Sequence, residues 1–491
     1  MQTVTAPQII DGQLVSVRPA TGEEVGRHPV ADSETVAATV ATARETAAWW
    51  AGLDWSRRRA ILLACKKAMA ADVRGLMTVL RAETGKSVSD AFSEISTCFE
   101  HADWAPKNAA RVLRRRRVRT NLSLIDHASY LEYHPYGVVA VIGPWNYPLH
   151  TPMGSIVYAL AAGNTVVFKP SEYTPGVGQW IADTINRVAG RPLVGIVHGL
   201  GDVGALLCQA DVDKIAFTGS VPTARKVATA AASRLIPALI EGGGKDAAIV
   251  AADADVVTAA GYVAWGAFTN AGQSCTGFER VYVVESIADR FIDALVAQSR
   301  DLRVGSDDEA QIGPITMPKQ LDIIASHIDA AVADGGTCVL GGPGTVEPPF
   351  VSPTIIVDVP ESSVAVTEET FGPVLIVNRV PDVDEAVRRT NATPYGLGGA
   401  VFGKRNVLDI ASRVRSGMTA INSGFAFAAI PALPFGGVRD SGYGRAHGAD
   451  GLREFAVAKS IARRRLPAPL PLMSLKRAAK HNKLLEWWIS R

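Results

Sequence analysis

The spacing of apolar positions changes along the chain, and each change predicts a different kind of element. Residues 1–30 carry short apolar runs punctuated by Gly12, Pro19, Gly22 and Gly26, the pattern of brief strands and turns. At Asp32 or Ser33, either of which can cap a helix, the spacing becomes helical and holds to about Trp50. Ile61, Leu62, Cys65, Met69, Val73, Leu76 and Leu80 predict one further helix after Ser56, ended by Gly85, and a third covers roughly 87–112. Residues 118–136 alternate polar and apolar around a turn near Asp126, which reads as a projecting hairpin.

From residue 137 apolar runs of strand length (138–142, 165–168, 194–197 and 215–217) alternate with helical stretches such as 177–188 and 222–233. Alternating strands and helices predict βαβ units and a parallel sheet, which binds ligands at the carboxyl ends of its strands. The loops that follow these runs read GPWN, KPSE, HGLG and FTGS. GLGDVG at 199–204 has the formal G-x-G-x-x-G spacing, but the acidic residue expected about 20 residues later is not on a convincing second strand. FTGS at 217–220 is the better anion loop. Its strand turns directly into a helix with Pro222 near the start, so free N–H groups and the helix dipole face outward. A second alternating section runs from Gly244 to about 440, with strands at 247–250, 281–284 and 374–377 and helices near 288–300, 319–334 and 383–390. The glycine-dense EGGGK at 241–245 marks the expected boundary.

Composition narrows the class. The 491 residues are 47% hydrophobic and 20% charged, which fits two or three globular units with sizeable cores. A formal net charge of +2 gives no reason to expect a nucleic-acid partner, and the basic run 114–117 reads as a solvated helix end. The five cysteines lack C-x-x-C spacing and the nine histidines are equally dispersed, so neither a disulfide framework nor a metal site is expected. Residues 1–13 show no leader pattern, and the apolar run 256–268 falls short of the ~20 residues of a spanning helix, so a cytoplasmic location is expected. The tail is different. After LPAPLPLM (466–473) come Leu475, Leu484, Leu485, Trp487, Trp488 and Ile489 beside Lys476, Arg477, Lys480 and Lys483. Such a helix could lie on a membrane surface, but packing on the chain's own oligomer is the preferred reading.

The strongest chemical signal is Cys275, in the run GAFTNAGQSCT at 266–276. A lone cysteine is more often a packed, inert thiol. Here its small and polar neighbours leave the sulfur approachable, and no second cysteine is close enough in sequence to pair with it. A thiol nucleophile needs a donor for the developing oxyanion and, if an acyl intermediate is hydrolysed, a base for water. The amide of Asn146 and the carboxylate of Glu241 can fill those roles, although spacing alone does not bring them together.

Seven segments carry a resemblance. GPWNYP (143–148), GNTVVFKPSE (163–172), FTGS (217–220), EGGGK (241–245), GQSC (272–275), EETFGPV (368–374) and PFGG (434–437) stand in the order found in the aldehyde dehydrogenase superfamily, which the chain resembles over almost its whole length. The resemblance implies an α/β fold with a Rossmann-like parallel-sheet cofactor domain, a second α/β catalytic domain and a small β oligomerisation arm. It places the NAD(P)-binding domain at 1–114 and 136–243 and the catalytic domain at 244–444. Residues 115–135 and 445–465 become oligomerisation elements, and 466–491 a C-terminal amphipathic extension. It also implies the reaction. Cys275 attacks an aldehyde to give a thiohemiacetal whose oxyanion is held by Asn146 and the Cys275 N–H. Hydride passes to the nicotinamide, and Glu241 activates the water that releases a carboxylic acid. Lys169 and Glu172 would hold the adenosine ribose, Gly219 and Ser220 the pyrophosphate, and Glu369 the nicotinamide ribose, with Trp145 and Phe371 by the cofactor. Glu172 points to NAD, with NADP as the alternative, and no metal is implied.

Two departures bear on the substrate. Gly242 replaces the large residue usual after the acid, and Gly154 stands where many relatives carry a bulky aromatic. With the apolar stretch FAFAAIPAL at 425–433, these predict a wide tunnel for hydrophobic or bulky aldehydes. Succinate semialdehyde or another specific semialdehyde is the alternative. A CoA-acylating relative and a catalytically silent homologue are opposed by Glu241 and by the retained Cys275 and Asn146. A homodimer or homotetramer is expected.

Overall fold

The computed structural model describes residues 6–467 and 473–490, without the side chains of Leu122 and Trp488. Most of the proline-rich stretch singled out at 466–473, and the side chain of Trp488 in the tail, therefore lie outside what is described.

The first parallel sheet runs, edge to edge, Ala238–Glu241, Lys214–Thr218, Val138–Ile142, Thr165–Lys169 and Val194–Ile196. Its three inner strands are almost wholly buried, which explains why they read as continuous apolar runs rather than alternating ones. The chain enters at Val138–Ile142, steps outward to Val194–Ile196, then returns to the other side at Lys214–Thr218. GPWN and FTGS flank that reversal, where open α/β sheets bind ligands.

The second sheet has the order Thr337–Leu340, Thr354–Val357, Val374–Val380, Phe278–Val284, Asp246–Val250, Gly399–Phe402 and Ala420–Ile421. Only Thr337–Leu340 pairs antiparallel. Glu241 ends a strand of the first sheet and Asp246 begins one of the second, so EGGGK is the crossover between them. His127–Pro135 pairs antiparallel with Arg116–Val118 on one side and Ala456–Arg464 on the other, forming the small β arm. The N-terminal runs form a three-stranded antiparallel sheet.

Two expectations need correction. The single helix expected after Ser56 is two, Trp55–Ala71 and Val73–Thr84. Asp72 leaves helical geometry (φ −109°, ψ 31°), and its carboxylate accepts the indole N–H of Trp180 at 2.9 Å, a tertiary contact that apolar spacing does not show. Gly442–Tyr443, expected within the second unit, adds an antiparallel strand to the first sheet beside Ala238–Glu241. The tail forms the helix Ala479–Ile489. Among the described residues no helix is long and apolar enough to cross a membrane.

Candidate active site

Cys275 is delivered by an unusual turn. The helix Val256–Phe268 ends, and Asn270, Ala271 and Gly272 then take left-handed backbone angles in succession (φ 53°, 54° and 70°). Such angles are strained for alanine and persist only where packing fixes them. Gly272 also lies so close to the Gly372 carbonyl that any Cβ there would overlap it. Asn270 locks the turn, with its amide donating to the carbonyls of Asn146 (3.1 Å) and Gln273 (3.0 Å).

The acid meets the thiol across the two sheets. The Cys275 Sγ donates to Glu241 Oε1 at 3.5 Å. Burial raises the Glu241 carboxyl to about 7, only partly opposed by the thiol's hydrogen bond. Burial first, and the Glu241 charge second, push the Cys275 thiol well above its ordinary value. The pair therefore rests as thiol beside carboxyl or carboxylate, with Glu241 placed to accept a proton. Asn146 is buried, and its side-chain amide donates to the Gln273 carbonyl at 3.1 Å, two residues before the thiol. The Lys86 ammonium fixes the Asn146 backbone through its carbonyl at 2.6 Å.

Of the expected cofactor residues, Trp145, Lys169, Glu172, Gly219 and Ser220 lie at or just after the ends of strands of the first sheet, and Glu369 and Phe371 in the loop before Val374–Val380. Lys169 is buried, 3.7 Å from Glu172, and burial lowers its pKa against the pull of that carboxylate. Ser220 opens the helix Val221–Ser233 with no side chain capping its N–H groups, which leaves donors free for a pyrophosphate. Trp145 meets Phe371 edge to face at 5.4 Å. Glu369 accepts the Gly244 N–H at 2.9 Å, and burial raises its carboxyl to about 8. A Cβ on Gly243 would collide with that carboxylate, so the glycine leaves the only room for it. A buried cation, uncapped helix donors and an aromatic pair fit a dinucleotide.

Several residues of the site carry no role in the sequence reading. Lys245 and Glu279 form a buried ion pair at 2.5 Å, and Glu279 accepts the N–H groups of Thr370 (2.7 Å) and Phe371 (2.8 Å), fixing the loop that carries Glu369. Lys245 stood inside the quoted EGGGK, which was the one available signal. The dispersed histidines are also not dispersed in space. His101, His150 and His447 place ring nitrogens within 4.8 Å of one another.

A cavity of ≈ 130 Å³ leads to Cys275 and Glu241, walled by Trp265, Phe425, Phe435, Leu239 and the alanines of 426–429, with Asp90, Glu94, His150 and His447 on its polar side. Of the stretch 425–433, Phe425, Ala426, Ala428 and Ala429 line the cavity. The two glycines do not widen it. A Cβ at Gly154 would lie 2.5 Å from His447 Nε2, and one at Gly242 would lie 2.8 Å from the Asp440 carbonyl, so neighbouring groups already occupy both spaces.

Comparison with known proteins agrees with this geometry. A crystal structure of a Mycobacterium tuberculosis aldehyde dehydrogenase complexed with NAD+ is 32% identical, covers 95% of this chain and 96% of its own, and superposes with a TM-score of 0.87. The 4,4'-diapolycopene aldehyde oxidase of Methylomonas sp. is 36% identical over 92% of this chain and 87% of its own. A Mycolicibacterium smegmatis protein, provisionally named an NADP(+) succinate-semialdehyde dehydrogenase, is 35% identical over 91% and 88%. The profile of the aldehyde dehydrogenase family matches residues 9–461, so the chain belongs to the aldehyde dehydrogenase family, enzymes that use NAD(P) to oxidise an aldehyde to its acid.

Proposed function

We propose that Cys275 is the nucleophile, Glu241 its proton acceptor and later the base for water, and Asn146 a donor to the oxyanion. The 3.5 Å contact between the Cys275 sulfur and Glu241 carries this reading. As the sulfur adds to the carbonyl carbon, its proton has an acceptor in contact and the carbonyl oxygen becomes an oxyanion. The Asn146 amide and the Cys275 N–H hold that oxyanion. A nicotinamide, when bound, supplies the two-electron acceptor. Glu241 first passes the thiol's proton to solvent; the thioester on Cys275 is then opened by water, whose proton passes to Glu241 and on to the departing sulfur, releasing the acid and restoring the thiol. Trp145, Lys169, Glu172, Gly219, Ser220, Glu369 and Phe371 would hold the dinucleotide. Glu172 favours NAD because a carboxylate facing the ribose would repel a 2′-phosphate.

The cavity favours an apolar or bulky aldehyde. Its described lining holds aromatics and alanines, with Asp90 and Glu94 but no lysine or arginine, so a succinate-like carboxylate would meet like charge without a counter-ion. The name of the Methylomonas relative, for 4,4'-diapolycopene aldehyde, agrees with that choice. The nine-residue edge strand Ala456–Arg464 is largely exposed, which supports a dimer or tetramer built on the β arm, since such edges are normally covered. Five free thiols fit a reducing, cytoplasmic compartment.

The test is NADH absorbance with decanal, benzaldehyde and succinate semialdehyde, for the wild type and Cys275→Ala. Turnover of the first two by the wild type alone supports the reading. Best turnover of succinate semialdehyde would overturn the substrate class, and full activity of Cys275→Ala would overturn the mechanism.

A further inference from the structure

Three elements meet at one corner of the cavity. His101 lies on the helix Val88–Leu113, His150 opens the helix His150–Ala162, and His447 precedes the helix Gly448–Glu454. Their rings are in mutual contact, with centroids of His101 and His447 only 3.8 Å apart and His150 at 5.3 and 5.7 Å from the two. The contact explains packing, but it leaves the ring nitrogens unexplained. The Nδ1 atoms of His150 and His447 are buried and make no hydrogen bond. A buried polar nitrogen without a partner is costly, and a native structure seldom keeps two side by side.

We propose that His101, His150 and His447 form a binding site for a divalent transition-metal ion of zinc's class. The Ala428 carbonyl accepts from His101 Nε2 at 3.0 Å, so that nitrogen carries the proton and Nδ1 keeps its lone pair, which faces the Tyr158 hydroxyl at 3.3 Å; that hydroxyl can donate instead to the Pro431 carbonyl at 3.2 Å and release Nδ1 for an ion. An outer carbonyl that fixes the tautomer is the usual support of a ligating histidine. The three donor nitrogens lie within 4.8 Å of each other. A tetrahedral ion with bonds of about 2.0–2.1 Å needs donors about 3.4 Å apart, so the rings must draw together when the ion binds. Glu94 accepts the His150 backbone N–H at 3.1 Å, which fixes the start of that helix, and its second oxygen is paired with Lys86 at 3.3 Å. His150 and His447 also line the cavity that reaches Cys275, so the ion would sit on the wall of the substrate's path.

Cobalt(II) replaces zinc with visible bands that report its ligands. The experiment uses the full chain carrying Cys275→Ser, so that the thiol cannot compete for metal. We expect one equivalent of cobalt(II) to bind with the bands of a low-coordinate nitrogen site, and His150→Gln or His447→Gln to weaken it by more than about tenfold. Absence of binding, or binding unchanged in both variants, would overturn the site. Should a variant not fold, X-ray absorption of the cobalt-loaded Cys275→Ser protein decides. Three imidazoles around the ion support the site, and an oxygen shell or a single imidazole refutes it.

Discussion

Asn146 and Glu241 make separable demands on the chemistry. Asn146→Ala removes the proposed oxyanion donor without touching the thiol, and kcat should fall on the order of 100- to 1000-fold while the protein still binds NAD. Unchanged kcat in steady-state assays would remove Asn146 from the mechanism. Glu241 gives a pH signature. Burial raises its carboxyl to about 7, so below that pH it is protonated and cannot take a proton from the thiol or from water. The rate should therefore rise with pH through about 7 and level off above, and Glu241→Gln should abolish that limb of the profile. The motifs that carry Cys275, Glu241 and Asn146 were legible in the sequence because each is short and stands at a strand or helix end; that the three meet was not, since it depends on how the two sheets are joined. The histidine cluster was not, because its members come from three separate elements and meet only through helix packing.

Between residue and fold stands the loop 368–374. A buried charge pair helps to position it, beside the backbone bonds at its two ends. Lys245 and Glu279 are buried together, and Glu279 also receives two backbone N–H groups of the loop. Lys245→Met would leave the Glu279 carboxylate buried without its cation, at a cost of about 3–5 kcal/mol. Denaturant unfolding should show that loss as a lower midpoint, and an unchanged midpoint would show the pair to be incidental. Element spacing was legible wherever a face or a whole strand is buried, as in Val138–Ile142 and Thr165–Lys169. It failed at Asp72, where a side-chain bond to Trp180 breaks an otherwise continuous helical pattern, and at Gly442–Tyr443, a two-residue strand too short to carry a period.

At the scale of the molecule, the candidate site lies where the two sheets are joined by EGGGK: one ends in Glu241, and Asp246–Val250 of the other leads through the helix Val256–Phe268 and its turn to Cys275. The arm stands apart from that junction and offers a long edge. Light scattering on the purified chain should give two or four times the protomer mass, and truncation after Arg465 should preserve it, because the arm strands end before that point. A monomer at micromolar concentration would refute the role of the arm. The most direct test of the whole account is mass spectrometry of Glu241→Gln mixed with NAD and an aldehyde that the wild type oxidises. With water no longer activated, the acyl group should accumulate on the peptide containing Cys275, one equivalent per chain. Continued turnover without an adduct, or an adduct on any other residue, would contradict it.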